Sequence, residues 1–175
     1  MVNKKLNKIG ILGGSFDPPH SGHVYISKLA LKKLKLNEVL WFVTKQNPLK
    51  KKAYLSKNLR IKLSKNILKN EKKIFVKLFS DKINSENTFN LLKNLKNKNK
   101  NSKLYFLMGA DNMIKLHKWE KWKKIPSVAK IVVFARSNYS TLALKSVAAK
   151  QLQKEDWLYI SGNKINISSS LIRNF

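Results

Sequence analysis

Lys8-Ile9-Gly10-Ile11-Leu12 runs directly into Gly13-Gly14-Ser15-Phe16-Asp17-Pro18-Pro19-His20-Ser21-Gly22-His23. Residues 8–12 read as a short buried strand, stopped by the paired glycines. Over residues 21–35, Val24, Ile26, Leu29, Ala30, Leu31 and Leu34 recur at helical spacing. Val39-Leu40-Trp41-Phe42-Val43 follows as a continuous apolar run of strand length. Strand, helix and strand make a βαβ unit, and such units build parallel sheets. Gly13 and Gly14 are expected to let the backbone turn sharply and a ligand approach closely. The helix start just beyond them presents free N–H groups and a positive dipole end, which together make an anion site. It lies outside the carboxyl end of a strand, where open α/β sheets bind ligands.

The alternation continues outward from this unit. A loop at Gln46-Asn47-Pro48 precedes a helix over 55–69, with Leu55, Leu59, Leu63 and Ile67 at helical spacing. Residues 74–79 read as a strand, and 85–96 as a helix capped by Ser85 or Asn84. After a polar turn at 97–102, 104–108 is a strand, and Gly109-Ala110-Asp111 opens another helix. Strands at 131–134 and 158–160 flank a helix at 141–152, and residues 169–175 begin a last helix. The fold class expected is α/β: one domain over 1–175, a doubly wound (Rossmann-like) parallel sheet of five or six strands.

A chain of 175 residues can bury a real core as one domain. It has no cysteine, which excludes disulfides, thiolate metal sites and cysteine nucleophiles. The apolar run behind the basic N-terminus, Ile9 to Leu12, is too short for a signal peptide, and no segment is long enough to span a membrane. A cytoplasmic location is expected, with no membrane partner. The formal charge of +28 invites a nucleic-acid reading. That charge comes from 34 Lys and only 3 Arg, alongside 19 Asn. Base-reading and bidentate phosphate sites favour Arg, and the lysines are scattered over every expected helix. A solvated basic surface that attracts anionic substrates is therefore expected, and a nucleic-acid partner is not.

The chemistry lies in two histidines. His20 and His23 stand three apart at a helix start, so both can face one anion, and Gly22 between them leaves it room. Imidazoles there can donate to phosphate oxygens and offset charge in a transition state. The string resembles the Gly-Gly-x-Phe-Asp-Pro-x-His-x-Gly-His signature of the nucleotidyltransferase superfamily, and within it the chain is similar to the bacterial nicotinate-nucleotide adenylyltransferases. Three further segments carry the resemblance. Ile167-Ser168-Ser169-Ser170-Leu171-Ile172-Arg173 resembles the family's Ile-Ser-Ser-Thr-x-Ile-Arg motif, with Ser170 keeping the hydroxyl. Gly109-Ala110-Asp111-Asn112 matches the segment around the nucleotide ribose and base, although Asp111 could equally cap its helix. Leu116-His117-Lys118-Trp119 resembles Leu-His-x-Trp, which implies that Trp119 stacks on the nicotinate ring. Trp122 reads as a core residue, and His117 as a structural hydrogen-bonding group.

The resemblance implies catalysis by His20 and His23. It implies ATP binding by Gly13, Gly14, Ser15, Phe16, His20, Gly22, His23, Ile167, Ser168, Ser169, Ser170 and Arg173. Asn47, Lys50, Thr88, Gly109, Asp111, Trp119 and Arg136 would face the mononucleotide. Arg136-Ser137-Asn138 departs from the family's Arg-Pro-Gly, and the chain stops two residues after Arg173, where relatives continue. The implied substrates are ATP and nicotinate mononucleotide, with Mg²⁺ arriving on ATP and no metal ligands among the site residues. The phosphopantetheine and nicotinamide-mononucleotide adenylyltransferases are the enzyme alternatives. The sequence leaves a homo-oligomer open.

Overall fold

Strand and helix alternate through β1 (Asn7–Gly14), α1 (Ser21–Leu34), β2 (Glu38–Val43), α2 (Lys57–Ile67), β3 (Ile74–Lys77), α3 (Thr88–Lys98), β4 (Ser102–Gly109), α4 (Ala110–Lys115), β5 (Lys130–Phe134), α5 (Ser140–Leu144), α6 (Val147–Gln151), β6 (Trp157–Ile160) and α7 (Ser169–Arg173). Two 3-10 turns, Leu116–Lys118 and Trp122–Ser127, lie between α4 and β5. This computed structural model describes residues 6–44, 53–78, 87–162 and 169–173, without the side chains of residues 170 and 171. The strands form one sheet in the order β3-β2-β1-β4-β5-β6, and every neighbouring pair is parallel. The expected sheet of five or six strands therefore has six. From β1 the chain steps through β2 to β3, then returns across the sheet to add β4, β5 and β6 on the other side. The reversal between β1 and β4 opens the crevice in which such sheets take ligands.

The period of two along a strand divides the core into two layers. In β2, Leu40 and Phe42 join Ile9, Ile11, Phe106, Met108, Ile131 and Val133 on one face. Val39, Trp41 and Val43 join Leu12, Leu107, Val132 and Phe134 on the other. Both faces are covered, which is why the strands read as unbroken apolar runs. Each such side chain, fully buried, contributes about 1.5–3 kcal/mol of transfer free energy.

Three local expectations are corrected. α3 begins at Thr88, not at 85, because the Asn87 side chain accepts from the Asn90 N–H at 2.9 Å and caps the helix there. The single helix expected over 141–152 is two short ones, because Ser146 Oγ accepts from the Ala149 N–H at 3.2 Å and starts a new helix. On α2 the buried positions are Arg60 and Ser64, while Leu59, expected on the apolar stripe, is 41% exposed.

Candidate active site

The loop after β1 is shaped by Phe16 rather than by the glycines. β1 runs through Gly13 and Gly14, which pair with Phe42 and Val43 of β2, and no glycine among the described residues has a positive φ. The left-handed residue is Phe16, at φ 47, followed by a cis bond between Asp17 and Pro18. The sharp turn assigned to the glycines is therefore misplaced by two residues. Their smallness still matters: a Cβ on Gly13 would meet only Phe106 Cε2, at 3.9 Å, so the backbone there lies open to approach. The Phe16 ring is 1% exposed and stacks on Trp41 at 4.7 Å between centroids. That ring is a core pillar, not a ligand-facing group.

α1 starts on that pillar. His20 is its N-cap residue, and the His20 N–H donates to His23 Nδ1 at 3.2 Å. An accepting Nδ1 places the proton of neutral His23 on Nε2. The rings of His20 and His23 lie 3.8 Å apart, and His23 also packs on Phe16 at 4.8 Å and edge-on to Trp41 at 5.8 Å. Trp41 Nε1 donates to Ser27 Oγ at 2.8 Å, and Ser27 Oγ donates to the His23 carbonyl at 2.9 Å. Buried Gly22 lies within the same first turn. Burial, and after it the nearby Arg136 guanidinium, together lower the His20 imidazole to about 4. His20 is therefore neutral at pH 7, and its Nδ1 is buried without a hydrogen-bond partner.

α7 docks onto this loop from the far end of the chain. Ser169 Oγ donates to the Pro18 carbonyl at 2.8 Å, and Arg173 Nη1 donates to the Asp17 carbonyl. Arg173 also lies 3.8 Å from the Asp17 carboxylate. That carboxylate is buried and accepts from the N–H groups of Tyr54 and Leu55 at 2.7 and 2.8 Å. The two motifs thus meet although Ser169 and Pro18 stand 151 residues apart in sequence.

A second group stands at the ends of β4 and β5. The Asp111 carboxylate pairs with Arg136 at 2.7 Å. Gly109, the N-cap residue of α4, admits that carboxylate, since a Cβ there would lie 2.6 Å from Asp111 Oδ1. The capping role open to Asp111 is not seen, because no side chain caps α4. The field of Arg136 at His20 ties this group to the first. Trp119 is half-buried, edge-on to Phe106 at 6.2 Å, and Phe106 is the residue that faces Gly13. Thr88, the first residue of α3, follows Asn87, which hydrogen-bonds Glu120 beside Trp119. Trp122 packs against the core as expected. His117 Nδ1 is buried without a partner, so the structural hydrogen bond expected of His117 is not made at that atom.

Asn47, Lys50, Ile167, Ser168 and the Ser170 side chain lie outside the described residues. Among described groups the sequence reading missed Arg60, which is 2% exposed. It donates from Nη1 to the carbonyls of Ser15 at 2.5 Å and Thr44 at 2.9 Å, and from Nε to that of Leu55 at 3.1 Å. One signal could have found it. The chain has only three arginines, Arg60, Arg136 and Arg173, and all three surround this loop.

A family model of cytidylyltransferase-like proteins matches residues 11–175. A protein of Pelagibacter ubique strain HTCC1062, named probable nicotinate-nucleotide adenylyltransferase, is 45% identical over 98% of this chain and 95% of its own length. One of the same name from Agrobacterium fabrum strain C58 is 32% identical over 95% and 97%. The solved nicotinic acid mononucleotide adenylyltransferase of Plasmodium falciparum, complexed with NaAD, shares the fold at a TM-score of 0.78 and 22% identity, over 97% of this chain and 83% of that one. Matched by the family model along nearly its whole length and by close relatives end to end, the chain belongs to the cytidylyltransferase-like family and, within it, to the nicotinate-nucleotide adenylyltransferases.

Proposed function

We propose that the crevice between β1 and β4 joins ATP to nicotinate mononucleotide, giving nicotinate adenine dinucleotide and pyrophosphate. The observation that carries this reading is one juxtaposition. The His20–His23 pair at the start of α1, the docked Ser169 and Arg173 of α7, and the Asp111–Arg136 pair all converge on the carboxyl ends of β1, β4 and β5.

The chemistry is direct in-line transfer. An oxygen of the mononucleotide 5′-phosphate bonds to the α-phosphorus of ATP, and the bond to the β-phosphate bridging oxygen breaks, releasing pyrophosphate. No protein nucleophile takes part, so catalysis is positioning plus charge stabilisation. His23, protonated on Nε2, donates to a phosphoryl oxygen. His20, neutral and with its ring 3.8 Å from that of His23, faces the same phosphoryl group. Ser169 and Arg173 shape the pyrophosphate side of the loop, and Trp119 offers an indole to the nicotinate ring. Gly109, Asp111, Thr88 and Arg136 face the rest of the mononucleotide. Asp17 and Asp111 are both engaged by arginines, and no group of three His, Asp or Glu that could hold a metal is found among the described residues. Mg²⁺ would enter with ATP, as part of the substrate.

The test is pyrophosphate release from Mg·ATP with nicotinate mononucleotide, nicotinamide mononucleotide or phosphopantetheine, with the dinucleotide product identified by mass. Nicotinate mononucleotide should give the highest kcat/KM, by about tenfold or more. Absence of turnover with it, or a higher kcat/KM with phosphopantetheine, would overturn the reading.

A further inference from the structure

Arg60 is a buried cation that the transfer chemistry does not use. Its side chain is sealed from the crevice at 2% exposure, so it does not touch substrate. Burial depresses its guanidinium, and the nearby Asp17 carboxylate supports the charge. We propose that Arg60 is a positioning residue for the phosphate loop: it holds the backbone ahead of Phe16 in the conformation that aims His20 and His23. This rests on the transfer reaction proposed above.

Three observations carry it. First, the loop and the start of α2 are bonded in both directions. Asp17 accepts from the N–H groups of Tyr54 and Leu55, and Arg60 returns a bond to the Ser15 carbonyl. Second, the residue after Ser15 is the left-handed Phe16, a conformation that costs a non-glycine residue of order 1–2 kcal/mol and persists only where its surroundings enforce it. The two successive peptides on either side of the Ser15 Cα are both pinned. The Gly14 carbonyl accepts from the Thr44 N–H at 2.9 Å, and the Ser15 carbonyl accepts from Arg60. Third, this chain uses lysine wherever a cation will do, 34 times against 3 arginines. Carbonyls of Ser15, Thr44 and Leu55 on three separate segments need a rigid planar fork, which an ammonium on a flexible stem cannot supply.

The test compares wild type with Arg60→Lys, Arg60→Met and Leu68→Ala. Leu68 is a buried residue at the other end of α2, at its C-cap. Melting temperature, kcat, the KM of each substrate, and hydrogen exchange of the 13–23 backbone are measured for each. Folded Arg60→Lys and Arg60→Met should lose roughly 100-fold in kcat and exchange faster over 13–23. Leu68→Ala should melt earlier yet keep kcat within about twofold, since it removes no interaction made in the transition state. If only one Arg60 variant folds, that one decides. A folded Arg60 variant with near wild-type kcat would overturn the proposal. So would an equal kcat loss in Leu68→Ala, or failure of both Arg60 variants to fold, which would make the role one of stability. If wild type releases no pyrophosphate, the reaction assigned above fails instead. The exchange data then decide alone, with unchanged protection of 13–23 in the Arg60 variants counting against the proposal.

Discussion

His20 and His23 share one turn of helix but not one environment. His23 has its tautomer set by the His20 N–H, and its ring is wedged between Phe16, Trp41 and His20. His20 is half-buried, next to Arg136, and lowered to about 4. The unfolded chain takes up this proton near pH 6.5, whereas the folded chain takes it up only near 4. Between those values the unfolded state binds more protons, so stability falls as pH falls from about 6.5 to about 4. Thermal melts of wild type and His20→Gln across that window should show a steeper acid loss in wild type, and parallel curves would contradict the assignment. Both histidines were legible in the sequence because Gly, Asp-Pro-Pro and His-x-Gly-His crowd into eleven residues. Arg60 was legible only through its rarity, as one of three arginines. An arginine on an amphipathic helix reads as solvated surface, and only the folded loop supplies the three carbonyls that explain its burial.

At the scale of the element, β1 sets where the site lies. Gly10 is at its centre, and a Cβ there would meet Leu36 Cδ1 at 2.8 Å, Val39 Cγ2 at 3.0 Å and Leu107 Cδ1 at 3.1 Å. Gly10→Ala should therefore cost about 1–3 kcal/mol through overpacking. Gly13→Ala, which meets one ring edge at 3.9 Å, should stay within about 0.5 kcal/mol of wild type. Urea unfolding of both variants reads the contrast, and equal losses would contradict it. The strands were legible because a parallel sheet covered on both faces leaves runs such as Val39 to Val43 with no polar break. Helix limits were less so. Asn87 and Ser146 cap through side-chain bonds to one chosen N–H, and several Asn or Ser nearby could have made the same bond. The turn at Phe16 contradicts the expectation for Gly13 and Gly14 because surrounding bonds, not intrinsic freedom, hold a non-glycine residue in the left-handed region.

At the scale of the molecule, topology brings together what sequence separates. The strand order reverses between β1 and β4, so the carboxyl ends of those two strands carry Gly13 and Gly109 into one crevice. α7 then returns from the end of the chain to bond Pro18 and Asp17. Through the sequence alone, that closure was visible only as two motifs of matching chemistry. A formal charge of +28 favours the approach of anionic substrates to the molecule as a whole, but a long-range field cannot perform the transfer. The paired histidines are assigned that work. The most direct test is single-turnover formation of nicotinate adenine dinucleotide from Mg·ATP and nicotinate mononucleotide by wild type and by folded His23→Ala. The rate should fall by about 100-fold or more in the variant, with its melting temperature near that of wild type. A His23→Ala enzyme that forms the dinucleotide at close to the wild-type rate would contradict the assignment of the chemistry to this loop.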